Sequence, residues 1–392
     1  IILVSESGKP MKRESDLIDV WFDSGAMPFA QLHYPFENKE MVESGSNYPA
    51  NFISEGVDQT RGWFFTLHAI STMVKGSVAF KNVVSTGLVL DKNGNKMSKR
   101  LGNAVDPFST IDKYGSDPLR WYMMTNASPW DNLKFDVDGI EEVRRKFFGT
   151  LYNTYSFFAL YANVDGFSYA EEEVALDQRP EIDRWILSLL NTLVKDVDEY
   201  YNTYEPTRAG RAISDFVNDH LSNWYVRLNR KRFWGGEYDT DKISAYQTLY
   251  TCLETVARLM APISPFYADK LYNDLIKATG KGNDVSVHLA DFPTYRAELV
   301  DKTLEERMQL AQEISSMVLS LRKKENIKVR QPLSKIMLPV KDQTVRENIE
   351  AVKALILNEV NVKEINFVDN TSGILVKRIK PDFKKLGPKF GK

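Results

Sequence analysis

The stretch NFISEGVDQTRGWFFTLHAISTMVKGSVAFKNVVSTGLVLDKNGNKMSKR, residues 51–100, decides the fold. Phe52-Ile53 is a short apolar run that stops at Ser54-Glu55-Gly56. Asp58 to Val74 carries apolar residues on most sides, which predicts a helix buried around most of its circumference. Val83-Val84 and Leu88-Val89-Leu90 are strand-like, and Asp91-Lys92-Asn93-Gly94-Asn95 follows them with an Asn-Gly turn. Strand, helix, strand is the unit of a parallel sheet with helices on its faces. Ligands of such sheets bind beyond the carboxyl ends of the strands. Both Glu55-Gly56 and the basic string Lys96-Met97-Ser98-Lys99-Arg100 fall at such ends, and a shared pocket between them is expected.

Outward from this unit, residues 1–50 are mixed. After Asp117 helical patterns dominate to about residue 278. In Arg184–Tyr201, for example, Trp185, Leu189, Leu190, Leu193 and Val197 recur at helical spacing. Ile243–Leu259 is a second such run, bent or ended by Pro262 and Pro265. A further helix is predicted over Thr303–Lys324. The remainder reads as a small α/β unit, with strands at 336–338 and 365–368 around a helix at 347–357. The expected division is an α/β part (1–140), a helical bundle (141–300) and a small C-terminal α/β subdomain (301–392).

Composition sets limits. The 392 residues are 43% hydrophobic and 27% charged, enough for a sizeable core. A formal net charge of −2 means that any nucleic-acid binding relies on local basic patches. The single cysteine, Cys252, excludes an internal disulfide framework, and the four histidines (His33, His68, His220, His288) lack metal-ligand spacing, so no metal site is expected in this chain. No apolar stretch is long enough to span a bilayer, and the cytoplasm is the default compartment. Ile1-Ile2-Leu3-Val4 reads as a strand cut from a longer chain, not as a signal peptide.

Two lysines three residues apart, Lys96 and Lys99, suit one polyphosphate, and phosphoryl or nucleotidyl transfer needs cations aimed at developing phosphate charge. Gly94 and the two asparagines would let the loop move. By composition alone the string reads as an ordinary solvated turn. In Glu55–Phe64, Gln59, Trp63 and Thr66 share a helix face, Gly62 permits close approach, and the Glu55 carboxylate suits an α-ammonium or a ribose hydroxyl. The plainer alternative makes Trp63 core and Asp58 a helix cap. Trp21, in Asp19-Val20-Trp21-Phe22-Asp23-Ser24-Gly25, is a slot wall or a core aromatic. Trp224, Arg227, Arg230, Lys231 and Arg232 mix cations with aromatics, as phosphates and unstacked bases require, or as an amphipathic helix requires. Asp117 and Arg120 are expected in structural pairs. The seven Lys/Arg of residues 374–392 read as a solvated tail.

Lys96–Arg100, with Ser85-Thr86-Gly87 before it and Leu101-Gly102-Asn103 and Asp106-Pro107 after it, resembles the KMSKS signature of class I aminoacyl-tRNA synthetases, with Arg100 in place of the final serine. Glu55–Phe64 and Asp19–Gly25 resemble the isoleucyl members. The resemblance implies part of a Rossmann-type nucleotide-binding domain, joined at Tyr114–Arg120 to an all-α anticodon-binding bundle. It implies that Lys96 and Lys99 are catalytic, and that Lys96, Met97, Ser98 and Lys99 bind ATP, with Mg2+, as substrate. Glu55, Gly56, Asp58 and Gln59 would bind isoleucyl-adenylate, Trp21 and Trp63 would wall the amino-acid pocket, and tRNA(Ile) would be the partner of a monomer. The implied activity is activation of L-isoleucine and its transfer to tRNA. Alternatives are a valyl- or leucyl-type enzyme, or a non-catalytic tRNA-binding paralogue. The sequence has no Gly-His pair, hence no His-x-Gly-His motif of the family, and no editing domain. Zinc is expected, if at all, elsewhere in a longer enzyme, and this chain alone is expected to be inactive.

Overall fold

The structure is a computed structural model that describes residues 2–282 and 284–368, with Lys99 described through its backbone alone. The basic run at 374–392 lies outside the described residues.

Helix α1 (Val20–Gly25) starts under Asp19, whose carboxylate accepts from the Trp21 amide at 2.8 Å. Strand β1 (Ile53–Gly56), helix α2 (Trp63–Lys75) and strand β2 (Val83–Thr86) form the expected βαβ unit, with β1 and β2 parallel and Glu55 opposite Ser85. Strand β3 (Val89–Leu90) pairs in parallel with β4 (Leu133–Lys134). Among the described residues these are separate two-stranded pairs, not one continuous sheet.

Helix α2 departs from expectation. Phe64, Leu67 and Ile70 are buried, but Phe65 and Met73 are 64% and 75% exposed. The helix contacts α1 and, through Ile70, Phe29, Val42 and Tyr48. The residues before α1 form a short hairpin closed by a Val4–Pro10 bridge.

Helices α3 (Pro107–Tyr114) and α4 (Ser116–Asn126) lead into the bundle. Asp106 caps α3 by accepting from the Ser109 amide at 2.8 Å, and Pro107 opens it, where a missing N–H costs nothing. The bundle comprises α5 (Gly149–Asp165), α6 (Glu181–Asn202), α7 (Pro206–Asp215), α8 (Arg227–Trp234), α9 (Thr240–Met260) and α10 (Pro265–Thr279). A π-helical segment, Phe216–Val226, joins α7 to α8. The predicted proline break is real: α9 ends at Met260 and α10 restarts at Pro265.

Helix α11 (Lys302–Lys324) leads to a third parallel pair, β5 (Leu333–Leu338) and β6 (Val362–Phe367), linked by α12 (Gln343–Ala351) and α13 (Lys353–Val360). One apolar core runs without a break from Trp121 through the bundle to Ile356 and Ile365. The C-terminal α/β residues therefore share the core of the bundle.

Candidate adenylate site

Trp21 and Trp63 both lie at the junction of α1 with the N-terminal end of α2. The Trp63 indole donates to the Ser24 carbonyl at 3.0 Å, which ties α2 to the end of α1. A Cβ on Gly62 would lie 3.2 Å from the Trp21 ring, and one on Gly25 would lie 2.8 Å from Thr66. Two glycines thus let α1 and α2 approach closely, and they set the Trp21 ring against the N-terminal end of α2. Trp21 is 43% exposed and lies outside the core formed by the described residues. Trp63 is half-buried.

The turn after β1 is built differently from the expected Asp58 cap. Val57–Arg61 is a 3-10 turn with no side-chain cap. Gln59 does that work for α2, its Oε1 accepting from the Trp63 amide at 2.9 Å. The Asp58 carboxylate folds back over Gly56, leaving 2.5 Å to where a Cβ would sit. A side chain at position 56 would push the Asp58 carboxylate aside. Glu55 and Asp58 are exposed.

The lysine loop is tied down more tightly than its glycine and asparagines suggest. Asp91 Oδ1 accepts from the amides of Asn93 (2.9 Å) and Asn95 (2.8 Å), and Oδ2 accepts from the Asn103 side chain at 3.0 Å. Asn103 also donates to the Lys96 carbonyl at 3.2 Å and accepts from the Ser98 amide at 2.8 Å. The hydrogen bond from Asn103, joined by the Asn95 and Asn93 amides, pulls the Asp91 carboxyl down to about 2. One asparagine therefore holds both flanks of Met97. Sequence reasoning passed over this clamp; its visible signal was an Asp at the head of an Asn-Gly turn and a second Asn twelve residues on.

Met97 is spent inside. It packs against Tyr122, Leu133, Phe135 and Ile140, and it lines an apolar cavity of about 170 Å³ with Val89, Val105, Leu119 and Met123. Its side chain anchors the loop. Lys96 is exposed. The Lys134 side chain lies across the same loop, its Cε 3.4 Å from where a Gly94 Cβ would be. The cavity beside the lysine loop is lined by none of Glu55, Asp58, Gln59, Trp21 or Trp63. The two halves are linked through β2: Gly56 pairs with Thr86, and the lysine loop begins five residues later.

At the junction, Asp117 is structural, as expected. Its Oδ2 accepts from the Tyr267 amide at 2.6 Å, so its partner is the start of α10 and not Arg120. Burial raises its pKa, against the hydrogen bonds from Tyr267 and Phe266.

In the bundle the aromatic-cation string divides. Trp224 is 5% exposed and belongs to the core. Arg232 grips the buried Asp183 through both nitrogens (2.7 and 2.9 Å), and Tyr225 and Ser244 donate to the same carboxylate. Burial works against its charge, but the Asp183 hydrogen bonds hold the Arg232 pKa above the ordinary value. Arg227 pairs with Glu359 at 2.7 Å. Arg230 and Lys231 are exposed. The amphipathic alternative therefore accounts for Trp224 and Arg232, and only the outer cations stay available to a polyanion.

Family models for tRNA synthetases class I (I, L, M and V) and for the anticodon-binding domain of tRNA ligase match residues 2–136 and 183–338. The isoleucine–tRNA ligase of Bacteroides thetaiotaomicron is 76% identical over all 392 residues, and that of Porphyromonas gingivalis is 71% identical. The chain belongs to the isoleucine–tRNA ligase family. The ligase of Clostridium tetani is 46% identical over 388 residues. The chain spans 34% of the length of the Bacteroides and Porphyromonas relatives and 37% of the Clostridium one. The fold is also like that of the agnB2 LeuRS of Agrobacterium radiobacter K84, solved in ternary complex with tRNA and LeuAMS. That likeness has a TM-score of 0.58 at 19% identity and covers 76% of this chain and 36% of that one. No described helix is long and apolar enough to cross a membrane.

Proposed function

We propose that this chain supplies the amino-acid pocket, the phosphate loop and the anticodon-side bundle of an enzyme that activates L-isoleucine with ATP and loads it onto tRNA(Ile). The observation that carries this is the close junction of α1 and α2, with Trp63 bonded to the Ser24 carbonyl and the Trp21 ring against Gly62, beside the Glu55 turn at the carboxyl end of a parallel strand. An apolar slot next to an exposed carboxylate suits a branched aliphatic amino acid with a free ammonium.

In the proposed reaction the isoleucine carboxylate attacks the α-phosphorus of ATP. The bond to the β-phosphate oxygen breaks, and pyrophosphate leaves with that electron pair. A ribose hydroxyl at the tRNA terminus then takes the acyl group and AMP departs. No side-chain nucleophile is involved, so positioning and charge do the work. Lys96 and Lys99 supply cations to the departing phosphates together with substrate Mg2+. Glu55, Gly56, Asp58 and Gln59 hold the adenylate, with Gln59 also fixing the first turn of α2. Arg230 and Lys231 meet tRNA phosphates, and Arg227 is partly committed to Glu359. The nucleotide-binding portion is Rossmann-type, the enzyme acts as a monomer in the cytoplasm, and the 392-residue chain alone does not sustain the reaction.

The test is isoleucine-dependent exchange of pyrophosphate into ATP, in a protein of the relatives' full length carrying this chain. Lys99→Ala is expected to slow exchange by about two to three orders of magnitude. A rate near that of the unsubstituted protein removes Lys99 from the mechanism.

A further inference from the structure

The corner between α6 and α7 reaches the strand that carries Glu55, and the reaction just described makes no use of it. Helix α6 ends at Asn202. Two residues on, Tyr204 has φ 59, in the left-handed region. Glycine is the usual occupant there, because a side chain at such a helix end is disfavoured by its Cβ. The tyrosine ring nevertheless has a specific partner. It stacks on Phe52 with centroids 4.8 Å apart and planes 13° apart.

Phe52 immediately precedes β1 and lies three residues from Glu55, roughly 10 Å along an extended strand. The same corner is fastened to the end of α4. Thr207 donates to the carbonyls of Met124 (2.7 Å) and Ala127 (3.0 Å), and Arg211 donates to those of Thr125 (2.8 Å) and Asn126 (3.1 Å). On the sheet side, β1 is held along one edge by β2, and Asn82 donates to the Asn51 carbonyl at 2.9 Å. The stack adds a lateral hold at the start of the strand, from a corner whose own place is fixed.

We propose that Tyr204 is a positioning residue: its ring, presented by a left-handed backbone, sets the start of β1 and so the placement of Glu55 and Gly56 at the amino-acid end of the site. The inference rests on the adenylate reading above.

Tyr204→Gly removes the ring and relieves the backbone, so it separates positioning from folding; Tyr204→Phe keeps the ring. In a protein of the relatives' full length, Tyr204→Gly is expected to raise the KM for isoleucine in pyrophosphate exchange about three- to tenfold, the factor an aromatic pair corresponds to. Its kcat and unfolding temperature stay at the unsubstituted values. Tyr204→Phe matches the unsubstituted protein. Phe52→Ala reproduces the KM of Tyr204→Gly, and the double variant is no worse than either single one. An unshifted KM in Tyr204→Gly, or a loss confined to kcat and unfolding temperature, overturns the proposal while leaving the adenylate reading intact. Absence of exchange in the unsubstituted protein overturns both.

Discussion

Trp185, Tyr225, Tyr246 and Tyr272 in the bundle are all 1% exposed or less, whereas Phe65 and Met73 on α2 are 64% and 75% exposed. The bundle has one large continuous core, which continues into the C-terminal strands. The α/β part has only small separate clusters, one around Phe29, Val42, Tyr48 and Ile70, and one around Tyr122, Leu133, Phe135 and Ile140. The candidate site is thus set by local hydrogen bonds more than by core packing. Asp19, Gln59, Asp91 and Asn103 each fix one turn. The bundle, by contrast, holds its cations with a buried carboxylate that accepts from three side chains.

This contrast can be broken or sharpened by substitution. Asp183→Ala takes the buried carboxylate from Arg232, Tyr225 and Ser244, leaving Arg232 with Asp241 and Asn229, and is expected to lower stability by about 3 kcal/mol, read by denaturant unfolding. A loss below about 1 kcal/mol would show that the network is dispensable. Asp117→Ala removes the carboxylate that receives the Tyr267 amide and is expected to cost about 1–2 kcal/mol. The pKa of Asp117 is raised in the folded state, so its contribution falls as pH rises from the unfolded carboxyl value through the folded one. Asp117→Asn should abolish that slope while keeping the cap. An unchanged slope would assign the pH dependence to another group.

The lysine loop should respond locally. Asn103→Ala is expected to raise the Asp91 carboxyl from about 2 towards its ordinary 3.8 without a global loss of fold, followed by carbon NMR of the carboxylate. The folded value lies below the unfolded one, so the Asp91 tether is intact above about pH 4 and is released as pH falls through about 2. A carboxyl that stays near 2 without Asn103 would place the cause in the Asn93 and Asn95 amides. Phe65→Ser, on the open face of α2, should change stability by no more than about 0.5 kcal/mol. A loss of several kcal/mol there would mean that this face is already packed in solution.

Much of this was legible from residue order. The run from Phe52 to Leu90 contains the βαβ unit, because β-branched and helical periods alternate at the right lengths, and Pro265 marks the start of α10. The strings at Glu55 and Lys96 carried the family resemblance because their residue types match the chemistry. Burial was less legible. Asp58 to Val74 looks buried all round, yet a helix is covered only where partners exist, and Phe65 has none among the described residues of this chain. Trp224 and Arg232 read equally as a polyanion surface or an amphipathic face, since the core that covers Trp224 and the Asp183 carboxylate, 49 residues before Arg232, are distant in the sequence. The Asp91–Asn103 clamp escaped for the same reason: local periodicity does not record which side chain crosses a loop.

The account depends most on the Glu55 turn and the lysine loop serving one ligand. The direct measurement is a structure of a full-length protein carrying this chain, bound to a non-hydrolysable isoleucyl-adenylate analogue. The account predicts the isoleucyl side chain between Trp21 and Trp63, the ammonium near Glu55, and the phosphate mimic within reach of Lys96 and Lys99. An analogue bound at the tryptophans with its phosphate mimic directed away from the lysine loop would contradict it.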